Sequence, residues 1–497
     1  MFIKKYFTEM DENMKIIEFK NLLTEKKLLV DYKCDDVDIL GVSYDSREIK
    51  ENFLFYCKGK TFKEDYLIKA KENGAVCYIS EKEYDVNMNC IIVSDIRKAM
   101  AYVSAHFYEY AFKDLEIIGI TGTKGKTTVT YFLKSILDEH VHKKSAVIST
   151  VEVYTGSRCE EAHLTTPEAP FLHKLFKETK DNNFKTLTME VTSQAYKTDR
   201  VLGVEFSHGM FLNISEDHIS EAEHRDFKDY LSCKLELIKN SKDMIINKNS
   251  DCFDVIKSTC ENYKKPYITY GDDDSCDYKY YNITKTISGF KFNVKSKNFN
   301  EVFEINMAGR FNVENATAAI AMASEIGIDL KNIKTGILTT NVIGRMNVFD
   351  KDGYTVIVDF AHNELSYTKL YESIKLDYPN RNIISLGGSV GGKALNRRKS
   401  FGKIVGAGSN HIVLTMDNPE YESVNDICLE MARYIPDTCT YEIIEDRKTA
   451  IEKVLENAKK GDVIVLLSKS EEEYQKIKDT FVYYESDLKI AKRLLSV

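Results

Sequence analysis

The chain has no tryptophan and only six prolines in 497 residues, against many Lys, Ile, Asn and Tyr; this is a compositional bias without functional content. Other absences exclude more. No apolar run approaches the roughly 20 residues that cross a bilayer. The opening MFIKKYFTEMDE lacks the apolar stretch of a secretory signal. Long basic blocks, low-complexity segments and internal repeats are also missing. A net charge of −8 and a pI of about 5.8 argue against a general nucleic-acid surface. The eleven cysteines are odd in number and form no C-x-x-C pair. They read as reduced thiols of a cytoplasmic protein, without metal spacing or a disulfide framework.

At about 150 residues per domain the length suggests three domains. Residues 1–112 hold short strands (37–42, 53–57) and helical patterns such as 66–74, which closes on Gly74. Residues 113–340 alternate strand and helix. Apolar strands are expected at 146–149, 186–191, 209–214 and 244–247, antiparallel strands within 278–307, and a helix over 313–326. Residues 341–497 alternate again, with strands at 355–359, 382–386, 411–415, 441–444 and 463–466. Continuous apolar strands between helices indicate parallel sheets covered on both faces, with ligands at the strands' carboxyl ends. The fold class is therefore α/β with three domains.

The most informative segment is I-I-G-I-T-G-T-K-G-K-T-T at 117–128, where an apolar strand runs through a Gly turn into a helical pattern. Backbone N–H groups, a helix N-terminus and a lysine together suit a phosphate. Lys126 would reach the outer phosphates and the Thr127 hydroxyl would ligate Mg²⁺. The spacing G-x-x-G-K-T-T is shorter than the usual P-loop. Glu190, at a strand end, and Asn213, Asp217 and His218 after another add polar groups suited to a hard cation.

Six motifs occur in one order: G-T-K-G-K-T-T at 122–128, M-E-V-T-S at 189–193, F-L-N-I-S-E-D-H at 211–218, G-R-F-N-V-E-N-A at 309–316, G-R-M at 344–346 and V-D-F-A-H-N at 358–363. This series resembles the Mur ligase family over nearly the full length, on the branch that adds the third amino acid to the peptidoglycan peptide. The resemblance implies a central P-loop-type doubly wound ATPase domain (113–340). It also implies a smaller N-terminal α/β UDP-binding domain (1–112) and a C-terminal Rossmann-like domain (341–497) that takes the incoming amino acid. It implies a cytoplasmic, monomeric ATP- and Mg²⁺-dependent ligase of cell-wall biogenesis, with UDP-MurNAc-L-Ala-D-Glu and a free amino acid as substrates and no nucleic-acid or membrane partner.

By that resemblance Gly122, Thr123, Lys124, Gly125, Lys126, Thr127 and Thr128 hold the ATP phosphates, and Asn315, Arg345 and Asp359 complete the nucleotide site. Lys126, Glu190, His218 and Lys234 are the expected catalytic residues. Thr127, Glu190, His218 and Lys234, the last as a carbamate formed with CO₂, are the expected metal ligands. Tyr44 and Ser46, in Y-D-S-R, and Lys60, Thr61 and Phe62 match uridine-contacting positions. Thr165, Thr166, Thr192, Thr198 and Arg200 match those that hold the pyrophosphate, muramoyl and peptide portions. Lys393, Asp417, Asn418, Glu420 and Glu472 fall where the amino acid is held. Plainer readings stand beside these: Asn315 as a polar residue on a packed helix, His362 as a structural histidine, Lys234 as an ordinary helix lysine.

The chain also departs from the family pattern. The G-K-G-H-E loop reads S-K-S-E-E at 468–472, losing both glycines and the histidine. Lys393 stands where an arginine is expected, exchanging a planar fork for a point charge. D-N-P-E at 417–420 replaces the D-N-P-R of diaminopimelate-adding members, whose arginine would receive a second carboxylate. Together with the lysine-branch character of 211–234, this makes L-lysine the expected amino acid. L-Ornithine or meso-diaminopimelate, a folylpolyglutamate-synthetase-like ligase, and a Mur-like protein that binds nucleotide without ligating are the alternatives.

Overall fold

The computed structural model describes residues 14–59, 62–162, 164–220, 223–286, 288–340, 342, 346–392 and 395–496. The chain divides into two compact units. One takes the residues up to Gly119, Ser145–His208 and Asn240–Lys242; the other takes Ile120–Lys144, Gly209–Lys239 and everything from Asp243 onward. Among the described residues no helix is long and apolar enough to cross a membrane.

In the first unit a five-stranded sheet runs in the order Leu29–Lys33, Asn89–Val93, Ala75–Ser80, Phe53–Tyr56, Gly41–Ser43. Its first pairing is antiparallel and the others parallel. Phe19, Leu23, Leu54, Ile79, Ile91 and Val103 bury one face against helices Ile16–Glu25 and Ile96–Phe107. Asp95 caps the latter helix by accepting from Arg97 N and Lys98 N, satisfying two otherwise orphaned donors. The helix expected over 66–74 spans Glu64–Glu72, and Gly74 follows at φ +109, a left-handed turn that glycine enters without strain. Also in this unit, Ala146–Ile148 pairs in parallel with Thr186–Glu190 and antiparallel with Glu152–Tyr154.

In the second unit Ser241–Asn247 pairs in parallel with Tyr267–Gly271, which pairs in parallel with Tyr278–Lys285. Phe290–Lys295 and Asn300–Ile305 then add antiparallel strands at the edge, so the antiparallel character expected within 278–307 holds after a parallel first pairing. The strand expected at 209–214 is Phe206–Phe211, and Leu212 N bonds Thr121 O as the chain leaves it. Helix Leu330–Thr339 packs closely on Lys126–Val141. A Cβ at Gly336 would lie 2.5 Å from Ile136 Cα, so only glycine permits that approach.

The C-terminal sheet runs Asn347–Lys351, Tyr354–Asp359, Asp462–Leu467, Asn382–Gly387, His411–Leu414, Thr440–Ile443. It is parallel except for its first pairing, and all five expected strands are present. Not anticipated were the edge strand 347–351, the hairpin Tyr474–Ile477 with Thr480–Tyr483, and helix Asp487–Leu495. That helix is anchored by a fully buried ion pair. Arg447 Nε and Nη2 donate to Asp487 at 2.8 and 2.7 Å, and Tyr484 Oη donates to the same carboxylate at 2.7 Å. Removing one partner strands the other charge in the core, a cost of about 3–5 kcal/mol. Asp487→Ala should therefore lower the melting transition of the C-terminal segment by about 10 °C in a calorimetric scan; an unchanged melt would show that the pair holds nothing together.

Candidate functional site

The phosphate loop lies in the second unit, between strand Glu116–Thr121 and helix Lys126–Val141. Gly125 is the helix N-cap at φ +85, and a Cβ there would lie 2.5 Å from Asn315 Oδ1. Both left-handed geometry and space thus require glycine. Asn213 shapes the turn: its Oδ1 accepts from Lys124 N at 2.9 Å, its Nδ2 donates to Lys124 O at 3.0 Å, and its O accepts from Thr123 N at 3.0 Å. Thr123 Oγ1 meets Tyr230 Oη at 3.1 Å and accepts from Ser215 N at 3.0 Å. Lys126 Nζ donates to Gly122 O at 2.8 Å and Thr123 O at 3.4 Å, so it is folded over its own loop, where a phosphate would draw it outward. Thr127 and Thr128 are buried in the first helical turn. Asn315 Nδ2 donates to Asn312 Oδ1 at 3.0 Å. The Asp359 carboxylate accepts from Met346 N and Ala361 N, each at 2.7 Å.

Beside this loop sits Asp217, 1% exposed. Arg397 donates to its Oδ1 from Nε at 3.2 Å and Nη2 at 3.0 Å, and Asn363 Nδ2 donates to its Oδ2. Lys124 Nζ stands 4.0 Å away and His218 Nε2 3.7 Å away. Burial pushes the Asp217 carboxyl up, but Arg397, His218, Lys124 and His362 outweigh it and hold the group well below the usual carboxylate range. His362 Nε2 faces Lys124 Nζ at 3.0 Å while Nδ1 faces Phe360 O at 2.7 Å. Burial and Lys124 depress its pKa, so the ring is neutral, donating from Nδ1 and accepting at Nε2. His218 has φ +58, a left-handed backbone for a non-glycine residue, and its Nδ1 lies 2.8 Å from Glu223 Oε1. Strain of this kind persists only where the surroundings fix it.

Lys234 lies on helix Phe227–Asn240 and is 2% exposed. Its Nζ donates to Gly122 O at 2.9 Å and lies 4.8 Å from the centre of the Tyr230 ring. It is no solvated helix lysine. Burial first, then the charge of Lys126, bring its pKa well below the ordinary lysine value.

In the first unit Glu190 is fully buried at the end of its strand, its carboxylate accepting from Thr150 N at 2.8 Å and Thr150 Oγ1 at 3.2 Å. Thr166 Oγ1 donates to Glu190 O at 3.0 Å and accepts from Thr192 N at 3.1 Å, and Thr165 Oγ1 meets Thr150 Oγ1 at 3.0 Å. Arg200 Nη1 donates to Thr166 O at 2.9 Å, while its Nη2 lies 3.3 Å from Glu168 Oε1. Lys58 at 3.0 Å and Arg97 at 4.0 Å approach the same Glu168 carboxylate. Three cations around one carboxylate leave positive charge in surplus, which suits an anionic substrate. Tyr44 joins this group under Lys58 Nζ, 4.2 Å from its ring centre, and burial pushes its phenol up to about 12. Ser46 is buried, with its O accepting from Asn73 Nδ2 at 2.8 Å. Thr198 Oγ1 donates to Gln194 O at 2.7 Å. Phe62 packs among Phe55, Tyr66 and Tyr84.

At the carboxyl ends of the C-terminal sheet, Lys469 is fully buried. Its Nζ donates to Glu472 Oε2 at 2.6 Å, Asn418 Oδ1 at 3.2 Å and Tyr474 O at 2.5 Å. Burial raises the Glu472 carboxyl; Lys469 opposes that rise and buried Asp417 adds to it. Glu420 does not face a pocket as an unopposed acid: Lys476 Nζ lies 3.3 Å from it. Glu422 pairs with Arg398 at 2.8 Å. Lys60, Thr61, Arg345 and Lys393 lie outside the described residues.

Sequence reading missed Lys58, Arg97 and Glu168 as site residues, gave Arg397 no role and read Asp217 only as a polar group suited to a hard cation. Arg397 stands in the N-R-R run at 396–398, and Lys58 directly before Gly59. Neither position shows by itself which carboxylate it will meet.

Residues 120–323 match the Mur ligase middle domain and residues 344–470 the Mur ligase glutamate ligase domain. The chain is 36% identical to the UDP-N-acetylmuramyl-tripeptide synthetase of Latilactobacillus sakei, across 92% of this chain and 94% of that protein. It is 37% identical to the UDP-N-acetylmuramoyl-L-alanyl-D-glutamate–L-lysine ligase of Enterococcus faecalis, across 92% of each. Among solved structures, a UDP-N-acetylmuramoyl-L-alanyl-D-glutamate–2,6-diaminopimelate ligase shares the fold at a TM-score of 0.65 and 24% identity, covering 97% of this chain and 99% of that one.

The serines at 468 and 470 stand where the family pattern has glycine, and both keep a left-handed backbone, at φ +82 and +49. An L-residue in that region costs about 1–2 kcal/mol. The hydroxyl of Ser468 returns little, since its bonds to Ala361 O and Gly388 O are both 3.4 Å long. Ser468→Gly should accordingly stabilise the C-terminal segment by about 1 kcal/mol in urea unfolding; a destabilised variant would show that the hydroxyl contacts outweigh the strain.

Proposed function

The chain belongs to the Mur ligase family, and we propose that it is the ATP-dependent ligase that joins L-lysine to the D-glutamyl γ-carboxylate of UDP-MurNAc-L-Ala-D-Glu, in the cytoplasm and as a monomer. The observation that carries this reading is the buried Lys234 amine, 2.9 Å from Gly122 O of the phosphate loop. In this reading residues 1–112 hold the uridine end, 113–340 hold ATP and 341–497 hold the amino acid.

In the first step the γ-carboxylate attacks the γ-phosphorus of ATP, the bond to the β-γ bridging oxygen breaks, and ADP leaves. Lys126 swings from the Gly122 carbonyl to the transferring phosphate, whose charge the helix N-terminus at Lys126 also favours. In the second step the neutral α-amine of lysine attacks the acyl phosphate carbon. The tetrahedral intermediate expels phosphate, and the amine gives up its proton. Domain closure would exclude the water that hydrolyses an acyl phosphate. Arg200, Lys58 and Arg97 hold the nucleotide-sugar peptide by its anionic groups.

Thr127 and His218, in the second unit, offer hydroxyl and imidazole donors that suit Mg²⁺, with Lys234 joining them as its carbamate. As a free amine Lys234 offers no oxygen. Its surroundings favour the conversion, because burial and Lys126 bias the amine toward its neutral form, which attacks CO₂, and the charges of Lys126 and Lys124 would favour the negative carbamate. Bound Mg²⁺ supplies charge neutralisation on the phosphates.

L-Lysine is favoured because the buried Asp417 offers an acid for its ammonium, whereas Glu420 is paired with Lys476 and Glu472 with Lys469. No arginine follows Pro419 to take a second carboxylate. ADP and phosphate should be released only when both the nucleotide dipeptide and the amino acid are present. kcat/KM should be highest for L-lysine, lower for L-ornithine, and at least about 100-fold lower for meso-diaminopimelate. A preference for meso-diaminopimelate would overturn the lysine assignment. Lys234→Ala should lower turnover about 100-fold or more with the fold intact, and a small carboxylate such as formate should restore part of it. Full activity of that variant without additive would remove the carbamate from the mechanism.

A further inference from the structure

Behind the phosphate loop lies a second group of donors that the ligase reaction does not use. His224, fully buried, ends the turn that follows His218, and Asp229 and Cys233 stand one turn apart on helix Phe227–Asn240. The imidazole, carboxylate and thiol each place a donor atom within 4.8 Å of the other two. His224 Nδ1 and Asp229 Oδ2 are 3.5 Å apart. Donors on a tetrahedral Zn²⁺ lie about 3.5 Å from one another, given metal–ligand bonds of roughly 2.0–2.3 Å. The His–Asp pair already has that spacing, and Cys233 needs only about 1 Å of side-chain movement.

We propose that His224, Asp229 and Cys233 form a binding site for a borderline-soft divalent transition-metal ion of the Zn²⁺ class, separate from any Mg²⁺ site. The donor set sorts the two ions: thiolate and imidazole suit Zn²⁺, whereas Mg²⁺ takes oxygen ligands and holds its waters. Three protein ligands leave the fourth position to water. An ion here would tie the turn to the helix at a point that matters for the phosphate loop. His224 N donates to His218 O at 3.1 Å, and the Tyr230 ring lies 5.2 Å from the His224 ring. Tyr230 Oη in turn meets Thr123 of the loop at 3.1 Å. The ion would brace the nucleotide site from behind.

The test is a Co²⁺ titration of the full chain with Mg²⁺ in large excess to fill oxygen sites. One equivalent should give the thiolate-to-cobalt charge-transfer band and the intense visible bands of a tetrahedral ion, and one equivalent of Zn²⁺ should abolish both. Cys233→Ser should lose the charge-transfer band, and Asp229→Asn should bind Zn²⁺ at least tenfold more weakly. A wild-type spectrum without those bands would overturn the site. So would a band that survives in Cys233→Ser, since the thiolate would then belong to another cysteine.

Discussion

Asp217 is the group on which the second unit depends. It is a carboxylate at 1% exposure, which water cannot stabilise, and its charge persists because Arg397, Lys124 and His218 surround it. The dependence runs both ways. Arg397 and Lys124 are held close to a phosphate loop that already carries Lys126 and the buried Lys234, and without Asp217 that concentration of positive charge would repel itself. Because Asp217 also accepts from Asn363, which caps helix Glu364–Asp377, the same carboxylate ties the phosphate-loop region to the C-terminal sheet. His362 completes the arrangement by staying neutral, so that it accepts from Lys124 and adds no charge.

The first unit solves the same problem in the same way. Glu168 sits among Lys58, Arg97 and Arg200, and burial lowers the pKa of both Lys58 and Arg200 despite that carboxylate. A site for a polyanion must collect cations before the polyanion arrives. A single buried carboxylate keeps three cations in position at a fraction of the opposing charge, leaving a surplus of positive charge. The geometry is prepared in advance, so little has to be reorganised on binding.

The architecture was legible because periodicity and glycine placement are local. Five of the six strands of the C-terminal sheet and the helix at 313–326 follow from apolar runs bounded by polar turns, and the phosphate loop from G-T-K-G-K-T-T. The Tyr474–Tyr483 hairpin escaped notice because its second strand, T-F-V-Y, is exposed along its whole length and carries no inward–outward alternation. The site was legible where a motif fixes a role through the backbone, as at Gly125. It was not where a role comes from a distant partner. Arg397 and Asp217 are 180 residues apart, and Glu168 and Lys58 are 110, so neither pairing leaves a local trace. The same holds for Glu420: its replacement of arginine is visible in the sequence, but its pairing with Lys476 depends on the hairpin having formed.

Lys234 brings these constraints together. An ammonium at 2% exposure, beside Lys126 and near Lys124, is opposed by both desolvation and like charge, and the distant help of Asp217 does not reverse the balance. Two states relieve the conflict: the neutral amine, and an adduct that turns the position anionic. The neutral amine keeps its hydrogen bond to Gly122 O but adds no negative charge beside Lys126 and Lys124. A carbamate would place a negative charge within the influence of Lys126 and Lys124. The electrostatics that make an ordinary lysine costly here are therefore those that make its carbamate favourable. An alanine in its place would keep the helix but leave a void where the side chain stood, and with it would go the group able to make that change.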